Sequence, residues 1–600
     1  MRCRVSFLLR TYLWTILVFV LGKIAFMLFC GEGHEFNLSD MCQVIIHGIT
    51  LDLSTALYFL IIPFLLCIVH IWYWSKWLQY LLRGYFLLIS IAIALAFVAD
   101  TSLYPFWGFK LNASCLQYLE SPNEMAASVS MLYLVWRFLA LAITTVIIFG
   151  GYKTLKSAIA KSNKQLLELS LYILITPIIV IGIRGGLGES TTNIGQVFYS
   201  QQLFLNHSAV NPVFSFLSSF EHDSDDYDHY HFFESEECDS IIKDVYTTES
   251  LDVDTLLTTQ RPNVIVILLE SCGAVFTELG GNPEVMPHFN QIAKEGISFT
   301  QCYANSWRTD RGTVCTLSGW PSFPNVSVMK MPEKSQTMPS IAKTLKKEHY
   351  QTHYLYGGDI NFTNMRGYLI ATGWDRLTSI DDYSKHQVSS KWGVQDDITF
   401  ETLYQMTTSA QQPFLFGYST LSSHEPWEVP VKQFDDEIQN AFYYLDQCIG
   451  QFIDKLKKTE AWKNLLIVML PDHGIQYKQL DETKLLRNLI PVVWTGGAVK
   501  TAKRIDKICN QTDIAATLLG QLGLNHDDFT FSRDVLSSTY RYPMAVHNYN
   551  NAQSMIDSTG FILYDFDASH FIKRDSKEAD RMLKVNKAIL QKTTNDLKNR

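Results

Sequence analysis

Five long apolar runs, crowded into the first third of this 600-residue chain, constrain its fold more than any other feature. They cover roughly residues 7–29, 53–73, 85–98, 131–151 and 166–183. A helix needs about 20 apolar residues to cross a bilayer. The third run is the shortest, and it reaches that length only if Leu81 and Leu82 join it and bring Arg83 with them. Loop charge orients the set. Arg2 and Arg4 precede the first run, Lys76 and Arg83 separate the second from the third, and Lys153, Lys156, Lys161 and Lys164 separate the fourth from the fifth. The alternate loops carry Glu32, Glu35 and Asp40, then Asp100, Glu120 and Glu124. Basic loops stay cytoplasmic. The N-terminus is therefore expected in the cytoplasm, and everything after residue 186 outside it, with the protein in the cell (inner or cytoplasmic) membrane. No small-residue cleavage site follows Phe29, which argues against a cleavable leader.

The rest of the chain reads as a water-soluble α/β protein. A net charge of −9, with no basic face or arginine-rich run, excludes a nucleic-acid partner. Eleven cysteines without CxxC pairs or His/Cys spacing indicate neither a zinc framework nor a disulfide scaffold. Residues 187–260 are expected to form a connector. It contains the acidic stretch 221–240, which is expected to stay hydrated as a linker rather than bind metal through His229 and His231. From 261 to 540 apolar runs alternate with helical patterns, among them NVIVILLE, PHFNQIAKEG, THYLYGG, PFLFGYS, LLIVMLPDHG, LIPVVWTGG and QTDIAATLLGQLG. That alternation predicts a mostly parallel sheet with helices on both faces. Residues 541–600 remain as a C-terminal extension.

Two of these runs end in chemistry. The first finishes in Glu270 and a later one in Asp472-His473-Gly474. Buried parallel strands would deliver these side chains to one place, because ligands of open α/β sheets lie outside the carboxyl ends of the strands. Two anionic oxygens and a neutral nitrogen suit one divalent ion: Mn²⁺, Mg²⁺ or Zn²⁺. The stretch NSWRTDRGTVCTLSGWP (305–321) places Thr309 at a helix start. A threonine hydroxyl becomes a useful nucleophile near neutral pH when a divalent ion stabilises the alkoxide, and a helix N-terminus favours phosphate. Ser306 and Thr313 are rival nucleophiles, and an N-cap is the plainer use of Thr309. Cys315 is expected to be buried. Arg308, Arg311 and Arg366 are candidates to hold phosphate oxygens, and His424 to orient a head group or protonate a leaving alkoxide. Trp427 either packs on that group or covers the site. His353 and Tyr354 read as structural, and Asp396 and Asp397 most simply as a helix start, with a supporting role behind the site left open.

Together these residues resemble the alkaline phosphatase/sulfatase superfamily. On the sulfatase pattern C-x-P-S-R with a later T-G, Thr309 takes the cysteine position and Ser318-Gly319 the T-G pair. Arg311 and Thr313 replace the proline and arginine, so no formylglycine is expected. Five spans followed by such a domain look like the lipoteichoic acid synthase family of phosphoglycerol transferases. That resemblance implies Glu270, Thr309, Asp472 and His473 as metal ligands, manganese first among the candidates, and Thr309 as nucleophile. It also implies substrate contacts from His424, within Ser422-Ser423-His424-Glu425-Pro426, and from Asp359 and Arg366. The family's Trp before that Arg is absent, and Asn364 stands nearest. The implied reaction moves a phosphoglycerol head group from phosphatidylglycerol to a glycan, polymer or glycolipid acceptor through phospho-threonine. Phosphoethanolamine transfer or phosphodiester hydrolysis on the same scaffold are the alternatives.

Overall fold

The computed structural model describes residues 2–73, 75–113, 115–116, 131–155, 164–220, 230–243, 245–246, 250–324, 326–550, 552–566 and 568–600. Glu120, Glu124, Lys156, Lys161 and His229, used above, lie outside the described residues. The chain divides into two units, 1–223 and 224–600.

In the first unit, α1 (Arg2–Cys30), α2 (Leu38–Val69), α3 (Lys76–Trp107), α4 (Met131–Thr154) and α5 (Gln165–Arg184) are long and apolar enough to cross a membrane. Local capping makes two of them longer than their apolar runs. Asn37 accepts from the N–H groups of Ser39 and Asp40, while Asp40 returns a bond to the Asn37 N–H, so α2 begins well ahead of residue 53. Ser75 caps α3, and the third run becomes a full-length helix with Leu82 buried and Arg83 exposed. Phe7, Phe19, Phe64, Phe86, Ile93 and Tyr172 pack the interior. The charges buried there are paired: Arg4 with Glu168, Lys23 with Asp52, and Lys110 with Asp100, as low-dielectric surroundings require.

The expected connector is shared between the two units. Residues 194–219 belong to the first. There α6 (Leu203–Ala209) and α7 (Pro212–Ser219) bury Phe204, Leu205 and Val213. Asn211 caps α7 and reaches Asp52 at 2.9 Å. In the second unit, the end of the acidic stretch is not a hydrated linker. It forms α8 (Ser235–Ile242), which buries Cys238 and Ile242 against Met582, Val585 and Ile589 and pairs Glu237 with Lys584 and Asp239 with Lys592.

The sheet of the second unit contains β1 (Asn263–Leu269), β2 (Ile297–Tyr303), β3 (Gln351–Tyr356), β4 (Arg376–Thr378), β5 (Phe414–Ser419), β6 (Leu465–Pro471), β7 (Leu489–Thr495), β8 (Lys503–Ile505) and β9 (Cys509–Asn510). Their order is β4-β3-β5-β1-β6-β7-β2-β8, with β9 beside β2. β7 runs antiparallel to β6 and β2, and the other pairings are parallel. Every residue of β1 and β6 is buried, as expected of strands covered on both faces. Val264, Val266 and Leu268 face one core with Leu466, Val468 and Leu470, while Ile265, Ile267 and Leu269 face the other with Leu465, Ile467 and Met469. Each such side chain contributes roughly 2 kcal/mol on burial. The C-terminal residues fold with this unit as β10 (Met544–Asn548), β11 (Ala552–Asp557), β12 (Gly560–Asp565) and β13 (His570–Ser576), an antiparallel sheet, followed by α9 (Ala579–Asn599). His547 donates from Nδ1 to the Ala304 carbonyl at 2.8 Å, and Asn548 N–H to that of Asn305 at 2.9 Å.

Candidate active site

Leu269 and Pro471 are register partners, so backbone geometry alone lays the next residues, Glu270 and Asp472, side by side. Peptide N–H groups freed at the strand ends are put to use. Those of Ser271 and His473 donate to Asp472 Oδ1 at 2.9 and 2.8 Å. Asp472 Oδ2 is buried with no hydrogen-bond partner among the described residues. Ser271 Oγ donates to Glu270 Oε1 at 2.7 Å, and the Glu270 N–H donates to Thr420 Oγ1 at 2.9 Å. His473 gives its Nδ1–H to the Gly474 carbonyl at 2.8 Å, which leaves the lone pair on Nε2. That nitrogen stands 3.6 Å from both Glu270 Oε1 and Asp472 Oδ2.

Thr309 is the first residue of a helix spanning Thr309–Ser318. Its hydroxyl donates to Glu270 Oε2 at 3.1 Å and lies 3.5 Å from His473 Nε2. This close approach depends on Gly312, where a Cβ would fall 2.0 Å from the Asp472 carbonyl oxygen. Gln511 ties the same turn from the other side, donating from Nε2 to the carbonyls of Asp472 at 2.7 Å and Pro471 at 3.1 Å and to Thr316 Oγ1 at 3.1 Å.

The ligand atoms of Glu270, Asp472 and His473 lie within 4.8 Å of one another. Burial, with the adjoining Glu270 carboxylate, pushes Asp472 well above the usual carboxylate range. Burial also opposes ionisation of Glu270, but His473, His424 and the Ser271 hydroxyl outweigh it and hold Glu270 low. Two converging buried carboxylates, one oxygen without a partner and an imidazole lone pair fit a divalent cation.

The loop carrying His424 is anchored beside this group. Ser423 Oγ donates to the Glu270 carbonyl at 2.7 Å. The buried Asp396 carboxylate, pushed up to about 6 by burial, accepts from Leu421 N–H at 2.8 Å, Ser422 N–H at 3.1 Å and Tyr418 hydroxyl at 3.1 Å. Asp396 thus does more than start its helix. Asp359 accepts from the Asn361 N–H at 3.0 Å, and Arg366 Nε donates to Asn361 Oδ1 at 2.8 Å, so Asn361 joins the two. Burial lowers the Arg366 guanidinium, partly offset by Asp381, Asp359 and Asp382. Burial, Glu270 and Asp359 all raise the Tyr356 hydroxyl, which therefore feels both the carboxylate group and the Asp359 loop.

Glu270, Thr309, Asp472 and His473 are brought together. Arg311 is turned elsewhere: its Nη1 donates to the Pro324 carbonyl at 2.7 Å. Ser306 and Thr313 are fully buried with unpartnered hydroxyls among the described residues. Asn364 holds the Met329 carbonyl at 2.6 Å. Trp427 keeps its indole N–H buried and unpartnered among the described residues. Tyr354 bonds Ser419 and His353 bonds Thr378, both structural as expected, and Cys315 is buried. Ten cysteines, from Cys30 to Cys509, are free. Sequence reasoning missed Ser271, Gln511 and Trp392. Gln511 sits just ahead of a recognisable helix pattern, and that position was its only signal.

This sheet, with a carboxylate–histidine group beyond its central strands and a hydroxyl at a helix start, defines an α/β domain with a metal-centre geometry. Residues 262–524 match the Sulfatase family model. Among curated relatives, lipoteichoic acid synthase-like YvgJ of Bacillus subtilis is 26% identical over 360 residues, 53% of this chain and 58% of that one. Phosphoglycerol transferase I of Xanthomonas campestris pv. campestris is 23% identical over 309 residues, 46% and 43% of the two chains. The chain spans about half the length of the curated relatives it matches. Among solved structures, an alkaline phosphatase superfamily protein from Vibrio parahaemolyticus superposes with a TM-score of 0.54 at 25% identity, covering 62% of this chain and 97% of that one. The lipoteichoic acid synthase LtaP from Listeria monocytogenes shares the fold with a TM-score of 0.51 at 18% identity, covering 61% and 99%.

Proposed function

We propose that this protein is a membrane-anchored transferase that moves a phosphoglycerol head group from phosphatidylglycerol to an extracytoplasmic acceptor hydroxyl through a phospho-Thr309 intermediate. The observation that carries this reading is the Thr309 hydroxyl, set between Glu270 Oε2 and His473 Nε2 at a helix N-terminus, in a chain that also has five membrane-length helices. Relatives named lipoteichoic acid synthase and phosphoglycerol transferase support the head group.

Glu270, Asp472 and His473, with Thr309, would hold a divalent ion, manganese the first choice over magnesium or zinc, whose charge would ease ionisation of the Thr309 hydroxyl. Thr309 Oγ attacks phosphorus, and the bond to the diacylglycerol oxygen breaks. His424 protonates that oxygen, and Asp359 and Arg366 hold the head group. The acceptor, a glycan, polymer or glycolipid hydroxyl, then attacks phospho-Thr309 and restores the threonine. The N-terminus lies in the cytoplasm and the sulfatase domain outside it.

Purified protein incubated with labelled phosphatidylglycerol and phosphatidylethanolamine tests this reading. Diacylglycerol release from phosphatidylglycerol is expected, with glycerophosphate mass on the Thr309 peptide. Turnover of phosphatidylethanolamine alone would make the protein a phosphoethanolamine transferase. Free glycerophosphate formed even with acceptor present would make it a hydrolase.

A further inference from the structure

The two loops assigned to substrate contact, 359–366 and 422–426, are bridged by a third that the sequence did not single out. Trp392 donates its indole N–H to the Glu425 carbonyl at 2.7 Å. The same oxygen accepts the Nδ1–H of His424 at 2.8 Å. A carbonyl only accepts, so Nδ1 carries a proton and Nε2 is left for the acid role given to His424. The indole lies against the His424 ring at 4.4 Å between centroids and 52° between planes. On its other side it meets Phe362, within the Asp359–Arg366 loop, edge-on at 5.5 Å and 68°. Lys391 N–H bonds Glu428 Oε2 and Gln395 Nε2 bonds the Glu428 carbonyl, each at 2.7 Å, so the Trp392 segment is pinned on both sides. Trp392 itself is half-buried.

An aromatic wall beside a phosphate-orienting histidine suits two kinds of head group. It packs against the C–H groups of a polyol, or it attracts an ammonium by cation–π contact. The charges around it decide between them. The Lys391 ammonium already stands over the indole, 5.8 Å from the ring centroid. Asp359, Asp381 and Asp382 act on the Arg366 guanidinium of the facing loop. An ammonium packed on the indole would meet Lys391 on the same ring, whatever attraction the carboxylates beside Arg366 supply, and repulsion at the contact itself is an efficient source of discrimination.

We infer that Trp392 and Lys391 select an uncharged, hydroxyl-bearing head group over a cationic one, Trp392 by forming the pocket wall and positioning His424, Lys391 by excluding an ammonium. This rests on the phosphoglycerol reading above. The test uses the full chain in mixed micelles of phosphatidylglycerol or phosphatidylethanolamine and measures diacylglycerol release. Wild type should prefer phosphatidylglycerol at least tenfold. Lys391→Glu, at an exposed position, should shrink that preference at least tenfold through a lower KM for phosphatidylethanolamine. Trp392→Ala should raise KM for phosphatidylglycerol about tenfold, whereas Trp392→Phe, which keeps a ring but loses the N–H, should chiefly lower kcat. If wild type uses phosphatidylglycerol and both Lys391→Glu and Trp392→Ala keep the wild-type preference within twofold, the inference is wrong and the function stands. Should Trp392→Ala fail to fold, Lys391→Glu decides alone. If wild type turns over only phosphatidylethanolamine, or neither lipid, the phosphoglycerol reading fails and takes the inference with it.

Discussion

Thr309 combines a structural and a chemical position in one side chain. Its hydroxyl makes a hydrogen bond to Glu270, so Thr309→Ala should cost about 1 kcal/mol of stability. Lipid turnover should fall far more, because the hydroxyl assigned to attack phosphorus is gone and Ser271 Oγ, the other hydroxyl on that carboxylate, is held on Oε1. Thr309→Ser should keep part of the activity. Unfolding temperature and diacylglycerol release from one preparation check both halves, and an active Thr309→Ala enzyme would reassign the nucleophile. Gly312 is the stricter position. A methyl group there would sit 2.0 Å from the Asp472 carbonyl, so Gly312→Ala should push the helix off the Asp472-His473 turn. The expected cost is about 1–3 kcal/mol, with divalent-ion binding by the purified chain falling at least tenfold. Thr309, Glu270 and Asp472-His473 were legible because each sits at a strand end or helix start, where local pattern fixes position. Gln511, Asp396 and Trp392 were not. They act on carbonyls and N–H groups brought near only by folding, as when Gln511 reaches Asp472 or Asp396 reaches Leu421.

Among the elements, the central strands were readable from unbroken apolar runs, whereas helix lengths in the first unit were not. Capping by Asn37 and Ser75 extended α2 and α3 through polar sequence that hydropathy ignores. The antiparallel β7 also escaped notice, since a buried strand reads alike in either direction. The β10 strand carries a pH-dependent prediction. Burial, reinforced by Arg487, His473 and Arg311, pulls the His547 imidazole down to about 3 despite its bond to Ala304. A base held neutral in the fold stabilises above its unfolded pKa of about 6.5, and that contribution is lost as pH falls toward 3. The loss approaches about 1.4 kcal/mol per pH unit below the unfolded pKa, which amounts to about 2 kcal/mol between pH 6.5 and 4.5. His547→Asn keeps an N–H for the Ala304 carbonyl and cannot titrate. Its stability should decline less steeply over that interval, measured by thermal unfolding at matched ionic strength.

For the whole molecule, the proposed topology has all five membrane-length helices crossing, which would put the two ends of the first unit on opposite sides of the bilayer. A reporter fused after Lys164 should read cytoplasmic and one fused after Asp254 external; an external signal at Lys164 would overturn this arrangement. The buried pairs also bear on how the protein is made. Lys23 on α1 is neutralised by Asp52 on α2, and a lone Lys or Asp deep in lipid costs about 2.5–3.5 kcal/mol on an insertion scale. During synthesis, α1 and α2 are therefore expected to insert together as a hairpin. Arg4 finds Glu168 only when α5 has emerged, so the last of the five membrane-length helices pairs with the first.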